Sequence, residues 1–462
     1  MNGSNLPING VEVAGTRKAY VARPERLAIV GGDAAGMSAA STAHRREAEL
    51  DVVAFERGPY TSFSACGIPF FVGGLFDDSE RLVTRSPEEH RARGIAVHVR
   101  TEVTAIDLDR RELRVRDQQG TERREGFDRL VVATGAEAVA PDVPGTERTE
   151  PARTIDAAER FRTALVRGGD SAVVIGGGYI GLEMAEALVQ RDLRVTLVER
   201  AGQVMTTLDE DMAAHVQDAA ESVGIDVRLG ADVQEVGERA VRVDGEDLPA
   251  DHVVLATGVR PATALAREAG LQVGDSGALR VDDRQRCPDH DGVFAAGDCV
   301  ESWHRILERP MNVQLGTHAN KQGRIAGANA TGADVAFPGV IGTAASKICR
   351  YEVARTGISE REAADAGIEV RTATIEDRTR AAYYPDSGPI WVKLVVAPDG
   401  RLLGGQIVGV AGAAKRIDVL AACVWTGMAV DELELIDLSY APPYSGVYDP
   451  LLVAARAAVK AL

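Results

Sequence analysis

The chain has 462 residues, enough for about three domains of ordinary size. Hydrophobic residues make up 45% and charged residues 26%, a balance typical of globular rather than disordered proteins. The net charge of −17 argues against broad binding to nucleic acid, because an acidic surface repels a phosphate backbone. No uncharged apolar run approaches the ~20 residues that would cross a bilayer, so no membrane partner is predicted.

Residues 1–25 mix polar, charged and small side chains without the apolar core of a signal peptide, so a flexible N-terminal extension is predicted there. The cysteines are too scattered to form a disulfide framework or a zinc motif, so no metal is predicted and a reducing cytoplasm is the expected compartment. They are Cys66, Cys287, Cys299, Cys349 and Cys423.

A supersecondary unit occurs twice in the chain. Each copy has an apolar strand that ends in glycine, then a helix, then a second apolar strand that ends in glutamate. The first copy spans Leu27–Gly32, Ala35–Glu49 and Asp51–Glu56, and the second spans Ala172–Gly177, Tyr179–Arg191 and Arg194–Glu199. This order predicts two βαβ units, each with a parallel pair of strands.

The glycine turns predict dinucleotide binding. Bare glycine backbone lets a pyrophosphate approach closely, and the following helix presents unpaired N–H groups to it. An acid about 20 residues further on, Glu56 or Glu199, suits a ribose hydroxyl. The second turn is a full GxGxxG over Gly176–Gly181, whereas the first has Asp33 where the middle glycine is expected.

The rest of the chain adds further strands. Leu130–Gly135 and Val253–Gly258 are apolar strands ending in Ala-Thr-Gly, and Gly292–Cys299 carries Asp298 after a glycine. Beyond Phe337, strands are predicted at Ile390–Val396 and Leu402–Val410, and helices at Lys415–Met428 and Pro450–Leu462. These form a third, α+β domain.

Together, the repeated turns, the repeated Ala-Thr-Gly strands and the late Gly-Asp resemble the FAD-dependent pyridine nucleotide–disulfide oxidoreductase family. The resemblance implies an α/β fold with two Rossmann-like domains, the NAD domain inserted into the FAD domain, and a C-terminal α+β dimerisation domain. The expected boundaries are 26–155 and 281–334 for the FAD domain, 156–280 for the NAD(P)H domain and 335–462 for the dimerisation domain. A homodimer is expected.

The resemblance also implies two cofactors, FAD and NADH, with NADPH as the alternative. The residues it assigns to FAD are Gly31, Asp33, Ala34, Ala35, Gly36, Glu56, Arg57, Thr134, Gly135, Gly297, Asp298 and Ala319. Those assigned to NAD(P)H are Gly176, Gly178, Tyr179, Ile180, Gly181, Glu183, Glu199, Arg200 and Gly258. Tyr179 is expected to be an aromatic gate over the flavin. Because Glu199 would repel a 2′-phosphate, NADH is expected to be preferred.

The segment from Ser62 to Phe70 carries a single cysteine, Cys66, without a nearby partner. It resembles the single-cysteine branch of the family, which includes coenzyme A disulfide reductases, sulfur and persulfide reductases, and NADH oxidases and peroxidases. A lone thiol acts by forming a mixed disulfide or a sulfenic acid, and both routes need the thiolate. We therefore expect Cys66 to be redox-active, aided by a helix N-terminus and the flavin edge, and the other cysteines to be structural.

The C-terminal tyrosine segments resemble the coenzyme A disulfide reductase group. No histidine lies beyond His318, so hydroxyl groups of Tyr384, Tyr440 or Tyr444 are the expected C-terminal proton donors, acting across the dimer. His44, Arg45 and Arg46 form a basic stretch that would either bind coenzyme A phosphates or be a solvated face. Tyr448 departs from the lysine usual in that group.

The predicted function is therefore the NAD(P)H-dependent reduction of a low-molecular-weight disulfide or persulfide through FAD and Cys66. Coenzyme A disulfide is the first-choice substrate. Two alternatives remain open: an NADH oxidase that reduces oxygen, and a flavoprotein that donates electrons to a partner protein.

Overall fold

We describe the protein from a computed structural model, which describes residues 25–151 and 153–462. The predicted N-terminal extension lies outside these ranges, except for residue 25. Within them, no helix is both long and apolar enough to cross a bilayer.

The first sheet has five parallel strands and contains the two strands of the first βαβ unit. In spatial order they are Val293–Ala295, Arg129–Val132, Arg26–Val30, Asp51–Phe55 and Ala96–His98. Each central strand is a nearly uninterrupted apolar run, as expected for a parallel sheet that is covered on both faces.

Two helices pack on this sheet in unusually close contact. They are Ala34–Arg46, which follows the first glycine turn, and Gly316–Ala330. A Cβ placed on Gly323 would lie 2.1 Å from the carbonyl oxygen of Ala35, and one on Gly327 would lie 2.3 Å from that of Ala39. The glycines therefore bring the two helix backbones into direct contact. The first helix was predicted to reach Glu49 but ends at Arg46, because Glu47 leaves the helical conformation.

The second sheet, built around the second βαβ unit, also has five parallel strands. In order they are Asp226–Leu229, Arg194–Glu199, Ser171–Ile175, His252–Leu255 and Glu150–Pro151. Its helices are Ile155–Arg167, Tyr179–Val189 and Glu210–Ser222. Because Val293–Ala295 then returns to the first sheet, the second βαβ domain is inserted into the first.

The third sheet is antiparallel and lies in the C-terminal part of the chain. Its strands are Ala344–Ile348, Tyr351–Gly357, Leu402–Gly409, Pro389–Val396 and Arg371–Arg378. Its apolar core also contains buried residues from the helices Ile417–Thr426, Val430–Leu435 and Pro450–Ala461. The predicted strand pair and both predicted helices are therefore present, with ends shifted by one or two residues.

Smaller elements complete the three units. The antiparallel strands are Thr101–Asp107, Glu112–Asp117 and Glu122–Gly126; Val233–Val236, Ala240–Val243 and Glu246–Pro249; Ala136–Ala138 with Val259–Pro261; and Ser302–His304 with Arg309–Met311. Short helices are Ile68–Gly73, Pro87–Arg91, Ala264–Glu268 and Glu360–Asp365, and 3₁₀ turns are Ala65–Gly67, Ser79–Leu82, Thr146–Arg148 and Ala414–Arg416.

A buried ionic cluster joins the second domain to the third sheet. The side chain of Lys393 is only 5% exposed, and its Nζ lies 3.3 Å from Asp209, 2.9 Å from Asp211 and 2.9 Å from Glu360. Gln406 Nε2 donates a further hydrogen bond of 2.6 Å to Asp209. The start of the helix Glu210–Ser222 is thereby fixed against the C-terminal domain.

Candidate active site

The first glycine turn leaves no room for side chains between its strand and its helix. Gly31 has a φ of +108°, and a Cβ placed there would lie 2.1 Å from the carbonyl oxygen of Ala133. A Cβ on Gly36 would lie 1.9 Å from the carbonyl oxygen of Gly31. Both positions therefore require glycine, and the bare backbone suits close approach of a phosphate.

The second turn repeats this geometry. Gly176 has a φ of +110°, and its Cβ would lie 2.3 Å from the carbonyl oxygen of Ala256. A Cβ on Gly181 would lie 1.8 Å from that of Gly176. A Cβ on Gly178, in contrast, would meet no atom within 4 Å, so the space in front of this residue is open. Both turns fit a dinucleotide.

In each unit the glutamate after the second strand is bound to its own turn. The Gly32 N–H donates to Glu56 over 2.8 Å, and the Gly177 N–H donates to Glu199 over 2.6 Å. The other carboxylate oxygen accepts from the N–H two residues further along the chain, at 2.7 Å in both cases. The two acids thus lie where a ribose would meet the turn. Arg57 and Arg200, the next residues, are exposed.

Asp33 is the first turn's departure from the glycine pattern. It caps the helix Ala34–Arg46 without a side-chain capping bond, and its carboxylate accepts a hydrogen bond of 3.2 Å from the Phe63 N–H. Burial, reinforced by the nearby carboxylates of Glu56 and Asp298, raises the pKa of Asp33 to about 6. The turn therefore carries an acid that takes up a proton more readily than an ordinary aspartate.

Small residues bring the Gly-Asp segment against the first turn. A Cβ on Gly297 would lie 2.8 Å from the Cβ of Ala35 and 3.7 Å from that of Ala319. Gln322 accepts a hydrogen bond of 2.9 Å from the Gly297 N–H. The predicted residues from three separate parts of the chain therefore meet at one place, which the neighbouring Asp298 and the half-buried Ala34 adjoin.

Thr134 and Gly135 adjoin the Gly-Asp segment through hydrogen bonds to Cys299, the residue after Asp298. Burial raises the pKa of Asp298, and the guanidinium of Arg153 opposes this shift. Thr134 donates a 2.6 Å hydrogen bond to Ala262, and Gly135 has a φ of +69°. Arg153 was not predicted from the sequence. Its Nη1 has no hydrogen-bond partner among the described residues, which marks it as a further candidate for contact with an anionic ligand.

The helix Tyr179–Val189 carries the residues predicted to face the nicotinamide. Burial raises the pKa of Tyr179, whose hydroxyl lies 3.5 Å from Thr207 Oγ1. Glu183, one turn later, accepts a 2.5 Å hydrogen bond from the hydroxyl of Ser346 in the third sheet. Burial also raises the pKa of Glu183. Ile180 is exposed, and Gly258 has a φ of +96° with open space beside it.

Cys66 lies in a 3₁₀ turn that leads into the helix Ile68–Gly73. The loop before it is held from several sides: Ser62 has a φ of +48°, and its hydroxyl lies 3.1 Å from His90 Nε2. The Ser64 N–H donates to the carbonyl of Leu82 over 2.8 Å. His90 is fully buried, and burial lowers its pKa to about 4, so the imidazole is neutral. The loop is therefore a fixed element.

The surroundings of the Cys66 sulfur disfavour the thiolate. The residue reaches the surface, yet partial burial raises the pKa of Cys66, and the carboxyl groups of Glu183, Asp298 and Asp33 act in the same direction. The expected lowering of the thiol pKa is therefore absent from the chain by itself. The remaining cysteines are buried, in agreement with a structural role.

A cavity of about 490 Å³ opens beside the Cys66 loop. Ser62, Phe63 and Ser64 form one wall and Asp33 belongs to the same lining. Its cationic side chains are Arg45, Arg85, Lys321 and Arg324, and its other residues are Ala34, Met37, Ser38, Ser41, Thr42, Thr84 and Asn320. A basic cavity in a chain with a net charge of −17 suits an anionic ligand.

Only one residue of the predicted basic stretch lines this cavity. Arg45 does so, whereas Arg46 lines an adjoining cavity of about 1060 Å³ and donates to Thr331 over 3.0 Å. The ring of His44 packs under Gly94. Because the three residues are consecutive on a helix, their side chains point in different directions.

The predicted tyrosines lie in the C-terminal domain. Tyr440 and Tyr444 are 51% and 75% exposed, and Tyr384 is half-buried. The Ala381 N–H donates to the carbonyl of Pro442, which joins the two tyrosine segments. Arg416 fixes the segment that contains Tyr440 and Tyr444 by donating a hydrogen bond of 2.6 Å to the Tyr444 carbonyl. Tyr440 and Tyr444 are thus presented to the outside of the single chain.

Comparison with known proteins identifies the family of the chain. The family model described as pyridine nucleotide-disulphide oxidoreductase matches residues 25–323. The model for the dimerisation domain of the same family matches residues 343–450. The chain belongs to the pyridine nucleotide-disulphide oxidoreductase family. The predicted fold class, with two dinucleotide-binding domains and a C-terminal dimerisation domain, is therefore confirmed.

Several oxidoreductases of this family are similar over nearly the whole chain. A CoA-dependent NAD(P)H sulfur oxidoreductase of Pyrococcus abyssi is 37% identical, with 93% of this chain and 97% of the relative covered. An NADH oxidase of Methanocaldococcus jannaschii is 35% identical, with 95% and 99% covered. The solved structure of an NAD-dependent persulfide reductase from A. fulgidus is 36% identical, with a TM-score of 0.91 over 94% of this chain and 83% of that one.

Membership of this pyridine nucleotide-disulphide oxidoreductase family fixes the cofactors as FAD and NAD(P)H, as predicted. Sequence reasoning missed Arg153, Lys321, Arg324 and Ser346. Lys321 and Arg324 are three residues apart on one helix, a spacing that places them on the same face and that was available in the sequence. Ser346 gave no local signal, because its contact with Glu183 depends on how two domains pack.

Proposed function

We propose that this oxidoreductase uses NADH to reduce a disulfide or persulfide of a phosphate-bearing thiol, coenzyme A in the first place, through Cys66. The observation that carries this proposal is the basic cavity beside the Cys66 loop. Arg45, Lys321 and Arg324 suit phosphate groups, and Ser62, Phe63 and Ser64, which precede Cys66 in the chain, belong to the same lining. The names of the relatives, which mention CoA and persulfide, support the same substrate class.

In this proposal the first turn holds FAD and the second holds NAD(P)H, through the residues assigned from the sequence. When bound, FAD supplies two-electron chemistry and takes its reducing equivalents from NAD(P)H. The chain contributes the glycine cradles and the two carboxylates that orient ribose. Tyr179 would close the space between the nicotinamide and flavin sites.

Cys66 carries the sulfur chemistry. Its thiolate attacks a sulfur atom of the substrate, and a Cys66–S–S–CoA bond forms as the other sulfur leaves, as coenzyme A thiolate from the disulfide or as HS⁻ from the persulfide. Two electrons from NADH then cleave this mixed disulfide to regenerate the Cys66 thiolate and release coenzyme A. The leaving thiolates take up protons, which Tyr384, Tyr440 or Tyr444 would supply.

The tyrosines require a homodimer in this proposal. Tyr440 and Tyr444 are exposed on the single chain, and a two-fold dimer would let each subunit cover the other's Cys66 site. The matched dimerisation domain supports this arrangement. The reducing cytoplasm stays the predicted compartment, because a thiol that cycles through a mixed disulfide needs to be kept reduced at rest.

NADH oxidase is the second candidate, supported by the relative from Methanocaldococcus jannaschii. A flavoprotein that donates electrons to a partner protein is the third. In both cases Cys66 would not form a bond with a coenzyme A sulfur.

Anaerobic reduction with one equivalent of NADH, followed by separate addition of oxidants, distinguishes the three. Coenzyme A disulfide or persulfide should reoxidise the flavin absorbance quickly and release free coenzyme A. The same disulfide chemistry without phosphate groups, tested with oxidised pantetheine, should react more slowly, since it lacks the charges that the cavity binds. Fast reoxidation by oxygen alone would favour the oxidase, and reoxidation by none of these would favour a protein acceptor.

A further inference from the structure

The first and second glycine turns differ at one equivalent position. Asp33 and Gly178 each cap the helix that follows the turn, with extended backbone angles of −108° and −151° and of −79° and −172°. A Cβ on Gly178 would enter open space in front of its turn. Since the backbones match, the Asp33 side chain starts towards the corresponding space, where the first turn receives its dinucleotide.

This space is already rich in negative charge. Glu56 at the end of its strand and Asp298 after the Gly-Asp segment both act on Asp33, and the diphosphate of FAD would add two further charges. The cations of the adjoining cavity face it from the helices and the loop, namely Arg45, Arg85, Lys321 and Arg324. They line the same cavity as Asp33, and their charges suit the phosphates of a substrate.

We propose that Asp33 binds the FAD diphosphate in its protonated form, so that FAD is held with the uptake of one proton. Asp33 has the geometry for this role. Its carboxyl group accepts hydrogen bonds from the Phe63 N–H over 3.2 Å and from the Ala34 N–H, and a proton on this group would give it an O–H donor for a phosphate oxygen. The proposal rests on the family's FAD and not on the identity of the sulfur substrate.

The sign of the pH dependence follows from linkage. Burial and neighbouring carboxylates raise the pKa of Asp33 to about 6 in the chain without ligand, and the diphosphate raises it further. Above the Asp33 pKa of the FAD-free protein, Asp33 must take up a proton when FAD binds. The affinity for FAD therefore falls by about tenfold for each pH unit above this value. Below it, the site is already protonated and affinity is constant.

The test measures FAD release from the full-length holoenzyme. The enzyme is diluted to equilibrium at several pH values from about 5.5 to 8.5, a range that spans the Asp33 titration, and released FAD is read by its fluorescence. The dissociation constant of the unmodified protein should rise by about tenfold per unit above pH ~6.5. In Asp33→Asn and Asp33→Gly the dissociation constant of FAD should not change with pH. At the alkaline end of the range both variants should bind FAD more tightly than the unmodified protein.

A matched control uses the second turn. Gly178→Asp places the same acid at the equivalent position, and it should make NADH affinity fall with pH while FAD release keeps the pH dependence of the unmodified protein. The proposal is overturned if Asp33→Asn keeps the original slope, which would point to Asp298, or if the unmodified protein shows no slope. Because no sulfur substrate is used, the outcome is independent of the proposed activity.

Discussion

One sulfur atom carries the proposed chemistry, and the folded chain alone does not activate it. Partial burial and the carboxyl group of Glu183 hold the Cys66 pKa above that of a free thiol. A nucleophilic thiolate at neutral pH therefore needs an opposing influence from the bound cofactor or the substrate. This links the reactivity of the residue to occupancy of the site.

Replacing Cys66 by serine should separate the two half-reactions. In Cys66→Ser, NADH should still bleach the flavin absorbance, whereas turnover with coenzyme A disulfide or persulfide should fall by at least about 100-fold because the nucleophile is lost. Stopped-flow reduction and coenzyme A release measure the two steps. Full disulfide turnover by the variant would show that Cys66 takes no part.

The acid on the nicotinamide helix should control how easily Cys66 ionises. In Glu183→Gln, loss of the like charge should lower the Cys66 pKa and shift the pH profile of its alkylation by iodoacetamide to lower pH. Glu221→Gln is the control, since that exposed acid bonds to Gln217 and is not among the groups that act on Cys66 or Glu183, so it should leave the profile unchanged. Identical profiles for the Glu183 variant and the unmodified enzyme would contradict the coupling.

Glu199 should set the choice of pyridine nucleotide. Its carboxylate is bound to its own turn, where a 2′-phosphate would be repelled, so kcat/KM for flavin reduction should be at least about tenfold higher with NADH than with NADPH. Steady-state rates with both donors measure this ratio. A higher kcat/KM with NADPH would mean that the exposed Arg194 and Arg200 dominate the site instead.

Among the elements, the junction between the second domain and the third sheet depends on Lys393. Lys393→Met removes the cation that lies between Asp209, Asp211 and Glu360, and leaves the buried Asp209 without this ion pair. Breaking a buried pair costs about 3 kcal/mol or more, so the Tm of the least stable transition should fall by several degrees.

Lys415→Met is the control for that experiment. Lys415 pairs with Asp418 on the surface, where its side chain is 85% exposed, and such pairs contribute less than about 1 kcal/mol. Calorimetry of both variants should therefore show a clear shift for Lys393 alone. Equal shifts would mean that the buried cluster adds nothing to the junction.

Elements with a repeated local signal could be predicted from the sequence, and contacts between distant segments could not. The two βαβ units were predictable because each places glycines and an acid at fixed spacing around apolar strands. The meeting of Gly297, Ala35 and Ala319 came from family resemblance, since small residues far apart give no pattern of their own. The contact of Ser346 with Glu183 and the raised Cys66 pKa depend on domain packing, which periodicity does not describe.

For the whole molecule, the proposed sharing of each active site between two subunits predicts complementation between two inactive chains. Cys66→Ser should lack the nucleophile, and a chain with Tyr384→Phe, Tyr440→Phe and Tyr444→Phe should lack all three candidate proton donors. If donors act across the dimer, mixed dimers would keep one intact site in two, and activity should return to about a quarter of normal after complete subunit exchange. Native mass spectrometry measures the exchange, and complete exchange without recovery would place the tyrosines in cis.

The return of Val293–Ala295 to the edge of the first sheet also constrains how the chain is made. This strand pairs with Arg129–Val132, and the whole second domain is synthesised between the two. During synthesis on the ribosome, one edge of Arg129–Val132 stays unpaired while the inserted domain emerges and folds. A nascent chain stalled before residue 293 would thus expose an unpaired strand edge that can pair with other chains. Rapid folding of the inserted domain shortens that exposure.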